Sequence, residues 1–245
     1  MTVVVAFVLS LMATGLKPIH DRNEAIFNKK AVLAAIETRL GDDVKAKEIP
    51  DEEVLVIFDE QIEQLVVDIS GNPVSSDIVE GRGYKGGMAE HIDMKKEKKR
   101  DVEDRIFPVY IYNDDSGQKT YIVTVRGNGL WDEIWGNIAL EADLSTIAGA
   151  SFDHKGETPG LGAEIKDNPA FPAQFKGKKI YNTDGQFLSV DVVKGGAEKG
   201  DVHAVDGISG ATVTADGVDE MLERGLKYYE PFINQMKSGG GNVKD

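Results

Sequence analysis

Three stretches of this 245-residue chain concentrate side chains suited to chemistry. The first, Asp206-Gly-Ile-Ser209-Gly210-Ala211-Thr212-Val-Thr214, sets three hydroxyls and a glycine between a short apolar run and an amphipathic stretch. Hydroxyls at a helix start suit phosphate: the first-turn N–H groups have no intrahelical acceptor and lie at the positive end of the helix dipole. Gly210 lets backbone approach closely. On residue types alone, the same hydroxyls serve equally as ordinary N-caps. The second stretch, Asp153-His154-Lys-Gly-Glu157-Thr158-Pro159-Gly160-Leu161-Gly162, excludes a regular helix or strand through its proline and glycines. It reads as a rigid loop shaped to a flat ligand or as a surface loop with a histidine. His154 and Glu157 do not read as a metal pair, because His20, His91 and His203 lie in unrelated contexts and no third ligand is spaced to match. Ser151, His154 and Glu157 crowd together without a nucleophile elbow, which argues against a hydrolase triad. The third stretch, Arg126 to Gly136, holds both tryptophans, Trp131 and Trp135, as core lids or as a platform for a planar ring.

These stretches need a scaffold. IFPVYIYN from Ile106 and KTYIVTV from Lys119, joined by Asp114-Asp115-Ser116-Gly117, predict a β-hairpin and the start of the ordered body. Further strands are expected at Asn137–Glu141, Thr146–Phe152, Gln186–Val193 and Val202–Val205, and a last helix from Asp216 to about Tyr229 with Val218, Met221, Leu222, Leu226 and Tyr229 on one face. Ala25–Leu40 reads as an amphipathic stalk or docking helix ending at Gly41. Gly71 to Arg105 reads as a solvated surface or loop, in which Asp101, Glu103 and Asp104 cancel the basic run Lys95 to Arg100. The expected fold is α+β, a mostly antiparallel sheet with flanking helices, preceded by one N-terminal membrane helix. The expected division is an incomplete transmembrane helix at 1–16, a stalk helix and the N-terminal part of the body at 17–105, a cofactor-binding domain at 106–237 and a flexible tail at 238–245.

Thr2 to Leu16 carries no charge, and at about 1.5 Å per residue it falls short of a hydrocarbon core of about 30 Å. It reads as a membrane span whose first turns are missing, in preference to a signal-peptide core, which would follow basic residues, or to a buried core helix. Counting Lys17, Arg22, Lys29 and Lys30 places the body in the cytoplasm, but Asp21 and Glu24 are interleaved and the count carries little weight. Acidic residues outnumber basic ones 42 to 28, a formal charge of −14, which disfavours nucleic acid as a partner. The absence of cysteine excludes disulfides, thiolate metal sites, cysteine-held iron–sulfur clusters and thiol nucleophiles. Chemistry must therefore use oxygen, imidazole or a bound cofactor.

Taken in order, an N-terminal apolar helix, Gly127-x-Gly-Leu-Trp131, His154-x-x-Glu-Thr-Pro-Gly-Leu-Gly162 and Asp206-x-x-Ser-Gly-Ala-Thr212 resemble the FMN-binding domain family of the C subunit of Na+-translocating NADH:quinone reductase, shared with the G subunit of the Rnf electron-transport complex. The resemblance runs over nearly the whole chain. It implies FMN joined through its phosphate to the Thr212 hydroxyl, with Ser209, Gly210, Ala211 and Thr214 around the attachment, Thr214 better placed as a helix cap. It also implies that Trp131, His154, Glu157, Thr158, Leu161 and Gly162 line the flavin. No catalytic side chain and no metal ligand are implied. The subunit would relay electrons from an iron–sulfur carrier to another FMN subunit, on a route from NADH to quinone coupled to sodium transport. Its partners would be other subunits of the membrane complex, the membrane itself and, during maturation, a flavin transferase. Its body would lie on the periplasmic side of the bacterial inner membrane, against the charge count. The alternatives are an Rnf-type subunit, which the long Gly71–Arg105 segment disfavours, and a non-redox module that holds phosphate or nucleotide at Ser209–Thr214.

Overall fold

The computed structural model describes residues 2–41 and 43–239. Helix α1 runs Thr2–Ala34, α2 Glu37–Leu40, α3 Asp51–Gln61, α4 Ser76–Gly81 and α5 Met94–Glu97. The strands of the main sheet are β1 Ile62–Asp68, β2 Ile106–Asn113, β3 Lys119–Asn128, β4 Glu133–Leu140 and β5 Ile147–His154. Short helices α6 Glu164–Asp167 and α7 Ala170–Ala173, strands β6 Asp191–Val193 and β7 Ala204–Asp206, and the long helix α8 Thr212–Lys237 complete the chain.

The five strands form an antiparallel meander in chain order. The predicted hairpin is β2–β3, with Asn113 opposite Lys119. Asp114 fixes its turn, its carboxylate accepting from the backbone N–H groups of Ser116 and Gln118 at 2.9 Å each. β2 is apolar almost throughout because both sheet faces are covered. Phe107, Val109 and Ile111 join one core with Val218, Met221, Leu222, Leu226, Tyr229 and Ile233 of α8. Ile106, Tyr110 and Tyr112 join a second core with Leu33 at the end of α1, Ile36 in the turn that follows it, and Val54 and Phe58 of α3. Alternation along a strand sends neighbouring side chains to opposite faces, so one β2 sequence feeds both cores.

Several elements depart from expectation. The sheet begins at β1, N-terminal to Ile106, since Ile62–Asp68 pairs with β2. The Gly71–Arg105 segment is not a solvated loop: it buries Val79, Tyr84, Ala89 and Ile92 against the second core. Within its basic run Glu97 is 1% exposed and accepts from the Tyr84 hydroxyl at 2.6 Å, Arg100 Nε at 3.0 Å and Ile106 N–H at 3.1 Å. The strand expected at Gln186–Val193 shortens to β6, which pairs with β7 in parallel, the exception to the antiparallel pattern. β4 starts earlier than Asn137, at Glu133.

Helix α8 begins at Thr212, one turn before Asp216, and continues past Tyr229 through Pro231 to Lys237. The early start puts Thr212 and Thr214 inside the first helical turn. Of the tail expected at 238–245, residues 240–245 lie outside the described residues. The apolar N-terminal run and the first part of the stalk form one unbroken helix, α1, with Pro18 inside it, but the stalk expected over Ala25–Leu40 breaks after Ala34 and its last turn is the separate α2, Glu37–Leu40. Val4–Ala34 is long and apolar enough to cross a membrane, and none of its most apolar window is buried. Val4, Phe7, Leu9, Leu11 and Met12 are exposed, which rules against a core helix.

Candidate functional site

The three stretches singled out by residue type meet at one end of α8. Gly217, one turn into that helix, has no room for a Cβ, which would lie 2.2 Å from the Asn128 carbonyl oxygen. This close approach brings the β3–β4 turn, residues 128–132, against the helix start. From the other side comes the loop after β5, with His154 at the strand end.

Glu157 is the hub. Its carboxylate is 5% exposed and accepts from the N–H groups of Leu130 at 3.2 Å, Trp131 at 2.9 Å and Asp132 at 3.4 Å, and from the Thr214 hydroxyl at 2.6 Å. Burial alone raises the pKa of a carboxyl group. Here the Thr214 hydroxyl and the three N–H groups outweigh it and hold Glu157 below the usual carboxylate range. Two motif glycines are explained by this group: a Cβ on Gly129 would lie 2.6 Å from Glu157 Oε1, and one on Gly162 would lie 2.3 Å from Thr214 Oγ1. His154 steadies the hub from behind, its Nδ1 accepting the Glu157 N–H at 3.0 Å.

Thr214 is fully buried and points inward, its hydroxyl also 3.2 Å from the Leu161 carbonyl oxygen. It therefore clasps rather than caps. Ala211 is the N-cap, and no side-chain hydrogen bond closes this helix end. The N-cap reading of Ser209, Thr212 and Thr214 thus gives way to a helix start that no side chain caps. Thr212, the first helical residue, is half-buried; Ser209 and Gly210 beside it are exposed and Ala211 is buried. Gly210 takes φ +82°, and a Cβ there would approach the Gly160 carbonyl oxygen to 3.1 Å, so the two loops meet across this turn.

The tryptophans divide between the two readings of their loop. Trp135 is half-buried beneath the Arg126 guanidinium, 5.0 Å from its ring centroid. Trp131 is 65% exposed, an uncommon setting for so large an apolar ring. Leu130, Leu161 and Val213 are exposed around the same helix start. An apolar rim beside a helix start that no side chain caps fits a ligand that is flat and apolar at one end and anionic at the other, and FMN is such a molecule. Thr158 is exposed beside this rim.

Residue types did not point to Glu164, whose carboxylate accepts from the backbone N–H groups of Gly160 and Gly162 and so shapes the Pro-Gly-Leu-Gly turn. These N–H groups, Gly160 first, also hold it below the usual carboxylate range. A lone glutamate two residues after the motif carries no distinguishing signal. Asp206 anchors β7, its carboxylate accepting the Ala197 N–H at 2.8 Å. Among the described residues no group of three or more metal-ligating side chains occurs.

An FMN-binding domain family matches residues 129–227, a span that contains all three stretches except the first residues of the tryptophan loop. The C subunit of the Na(+)-translocating NADH-quinone reductase of Vibrio campbellii is 31% identical over 260 residues, covering 99% of this chain and 94% of the relative. Its counterpart from Pseudomonas aeruginosa is 32% identical, covering 97% and 96%. The crystal structure of the same protein from Parabacteroides distasonis superposes with a TM-score of 0.73 at 38% identity, covering 89% of this chain and 96% of that one. Shewanella oneidensis NqrC gives a TM-score of 0.68 at 30% identity, covering 89% and 98%.

Proposed function

The chain belongs to the family of the C subunit of the Na(+)-translocating NADH-quinone reductase, and from that premise we propose that it carries FMN bonded through phosphate to Thr212. The observation that carries this reading is the contrast between two hydroxyls in one helical turn. Thr214 is buried and bonded to Glu157, whereas Thr212 is half-buried at the open helix start. A phosphodiester keeps one negative charge, which the helix N-terminus stabilises.

When bound, FMN supplies one- and two-electron redox chemistry, and the protein supplies tethering and orientation. Ser209, Gly210 and Ala211 form the turn around the phosphate. Trp131, Leu161 and Thr158 line the ring, while His154, Glu157, Gly162 and Thr214 hold the loops that carry them. The function follows: a relay within the complex, taking electrons from an iron–sulfur carrier and passing them to another FMN subunit between NADH and quinone. The flavin site lies within 106–237, which shares its sheet and second core with β1 and the 71–105 segment instead of standing as a unit apart, and the body is carried on a single membrane-crossing helix on the periplasmic side of the inner membrane. A flavin transferase on that side makes the bond.

Intact mass of the protein from its own host under denaturing conditions, followed by peptide mapping, tests this. The expected result is one FMN less one water on the peptide containing Ser209–Thr214. An unmodified mass, in a host that flavinylates another such protein, overturns it.

A further inference from the structure

We infer that Glu157 is a positioning residue: its carboxylate, clasped by Thr214, fixes the backbone that carries Trp131 against the start of α8, without itself touching the cofactor. The inference rests on the FMN reading for one of its two readouts only.

The number of donors comes first. A carboxylate offers about four lone-pair positions. Glu157 meets four donors, the N–H groups of Leu130, Trp131 and Asp132 and the hydroxyl of Thr214. Its acceptor capacity is used, and the group is 5% exposed. Gly129 and Gly162 close over its oxygens: a Cβ on either would fall within 2.7 Å of them. A residue placed and saturated in this way acts through what it holds.

The close approach of Gly217 to Asn128 seats the base of the β3–β4 turn on α8, but the tip that carries Trp131 has less support. The Trp131 ring is 65% exposed, so packing alone does not fix it. Within its turn Gly129 N–H donates to the Asp132 carbonyl oxygen at 2.8 Å, and the Asp132 side chain pairs with Lys155 at the surface. Surface pairs of this kind contribute little. The hydrogen bonds to an ionised carboxylate are of the stronger, charge-assisted kind. Thr214 adds the link that makes the device useful, because it sits in the helical turn that begins with Thr212. One buried carboxylate thereby joins the aromatic plate and the attachment turn.

Two substitutions at Thr214 isolate the hydroxyl. Thr214→Ser keeps it, and Thr214→Val keeps the branched shape without it. Glu157→Gln replaces one acceptor oxygen by an N–H2 group facing N–H donors. Each protein, made without flavin and labelled with 5-fluorotryptophan, gives two fluorine resonances, assigned with Trp131→Phe. In the wild type and Thr214→Ser, the Trp131 resonance should lie well away from its denatured position. In Thr214→Val and Glu157→Gln it should move at least half of the way to that position, with Trp135 unmoved. The second readout uses flavinylated protein: the visible circular dichroism of the flavin should fall at least twofold in Thr214→Val and be retained in Thr214→Ser.

An unchanged Trp131 resonance and unchanged dichroism in folded Thr214→Val overturn the inference, as does an equal movement of Trp135, which would signal general loosening. If Glu157→Gln does not fold, Thr214→Val decides alone. Absence of covalent flavin from the wild type overturns the FMN reading, and the resonance test still decides the role of Glu157.

Discussion

The sheet has two covered faces, and they are built to different ends. The α8 face includes buried polar groups whose partners lie in other segments of the chain, such as Glu157 with Thr214, and an uncapped helix start ringed by exposed apolar side chains. The opposite face is packed with aliphatic and aromatic side chains from the end of the α1 segment, α3 and the 79–92 segment. Polar groups inserted there are paired within the mount itself: Lys29 bonds Glu90 and lies 4.4 Å from the Phe58 ring centroid, and buried Glu97 accepts from Tyr84 and Ile106. One face is thus a site and the other a mount, and damage to each should have different symptoms.

The sharpest separation comes from Thr212→Ala. It should abolish covalent flavin completely while leaving the melting temperature within a few degrees, since a half-buried hydroxyl contributes little to either core. Denaturing gels viewed for flavin fluorescence and a thermal scan check both halves. Covalent flavin retained in this variant would break the comparison at its centre.

Leu33→Ala attacks the mount. Leu33 is fully buried, and removing its side chain should cost about 2–5 kcal/mol. Denaturant unfolding should show that loss with flavin content unchanged.

Two glycines give a closer match. A Cβ on Gly149 would lie 2.4 Å from the Ala35 carbonyl oxygen on the mount, and one on Gly162 2.3 Å from Thr214 Oγ1 in the site. Each alanine substitution should cost about 1–3 kcal/mol through overpacking. Flavin yield in the native host should fall with Gly162→Ala and hold with Gly149→Ala.

The smallest effect is on pH dependence. Glu157 is held below its ordinary 4.5, so the folded state favours the carboxylate. Its contribution is complete above pH 4.5 and disappears as pH falls through the depressed folded-state value. Trp131 fluorescence should be flat from pH 8 to 5 and change only below that ordinary value. On the mount, the stability difference between Leu33→Ala and wild type should show no matching step with pH.

Much of the site-bearing face was legible because its signals are local. The hairpin announced itself through Asp114-Asp115-Ser116-Gly117, and the turn before α8 through hydroxyls beside a glycine. What residue types concealed was direction. Thr212 and Thr214 look alike in sequence, yet a helix beginning at Thr212 turns one outward and the other into the core. The mount was harder to read because its parts are distant in sequence. Gly71–Arg105 is polar and glycine-rich, and only the tertiary fold shows that Tyr84 and Ile92 are buried and that Glu97 neutralises its own basic neighbours. β1 was missed for a similar reason: Ile62–Asp68 continues directly from α3 without a turn signal between them.

The continuity of α1 has a mechanical meaning. With no loop between its apolar beginning and the end that docks on the sheet, the helix works as both ruler and protractor. Inserting a single residue before the docked turns would raise the body by about 1.5 Å and swing it by about 100° around the helix axis. The compass bearing of Thr212 is therefore written in the residue count of the rod, and a whole heptad inserted there would nearly restore that bearing while lifting the site by about 10 Å.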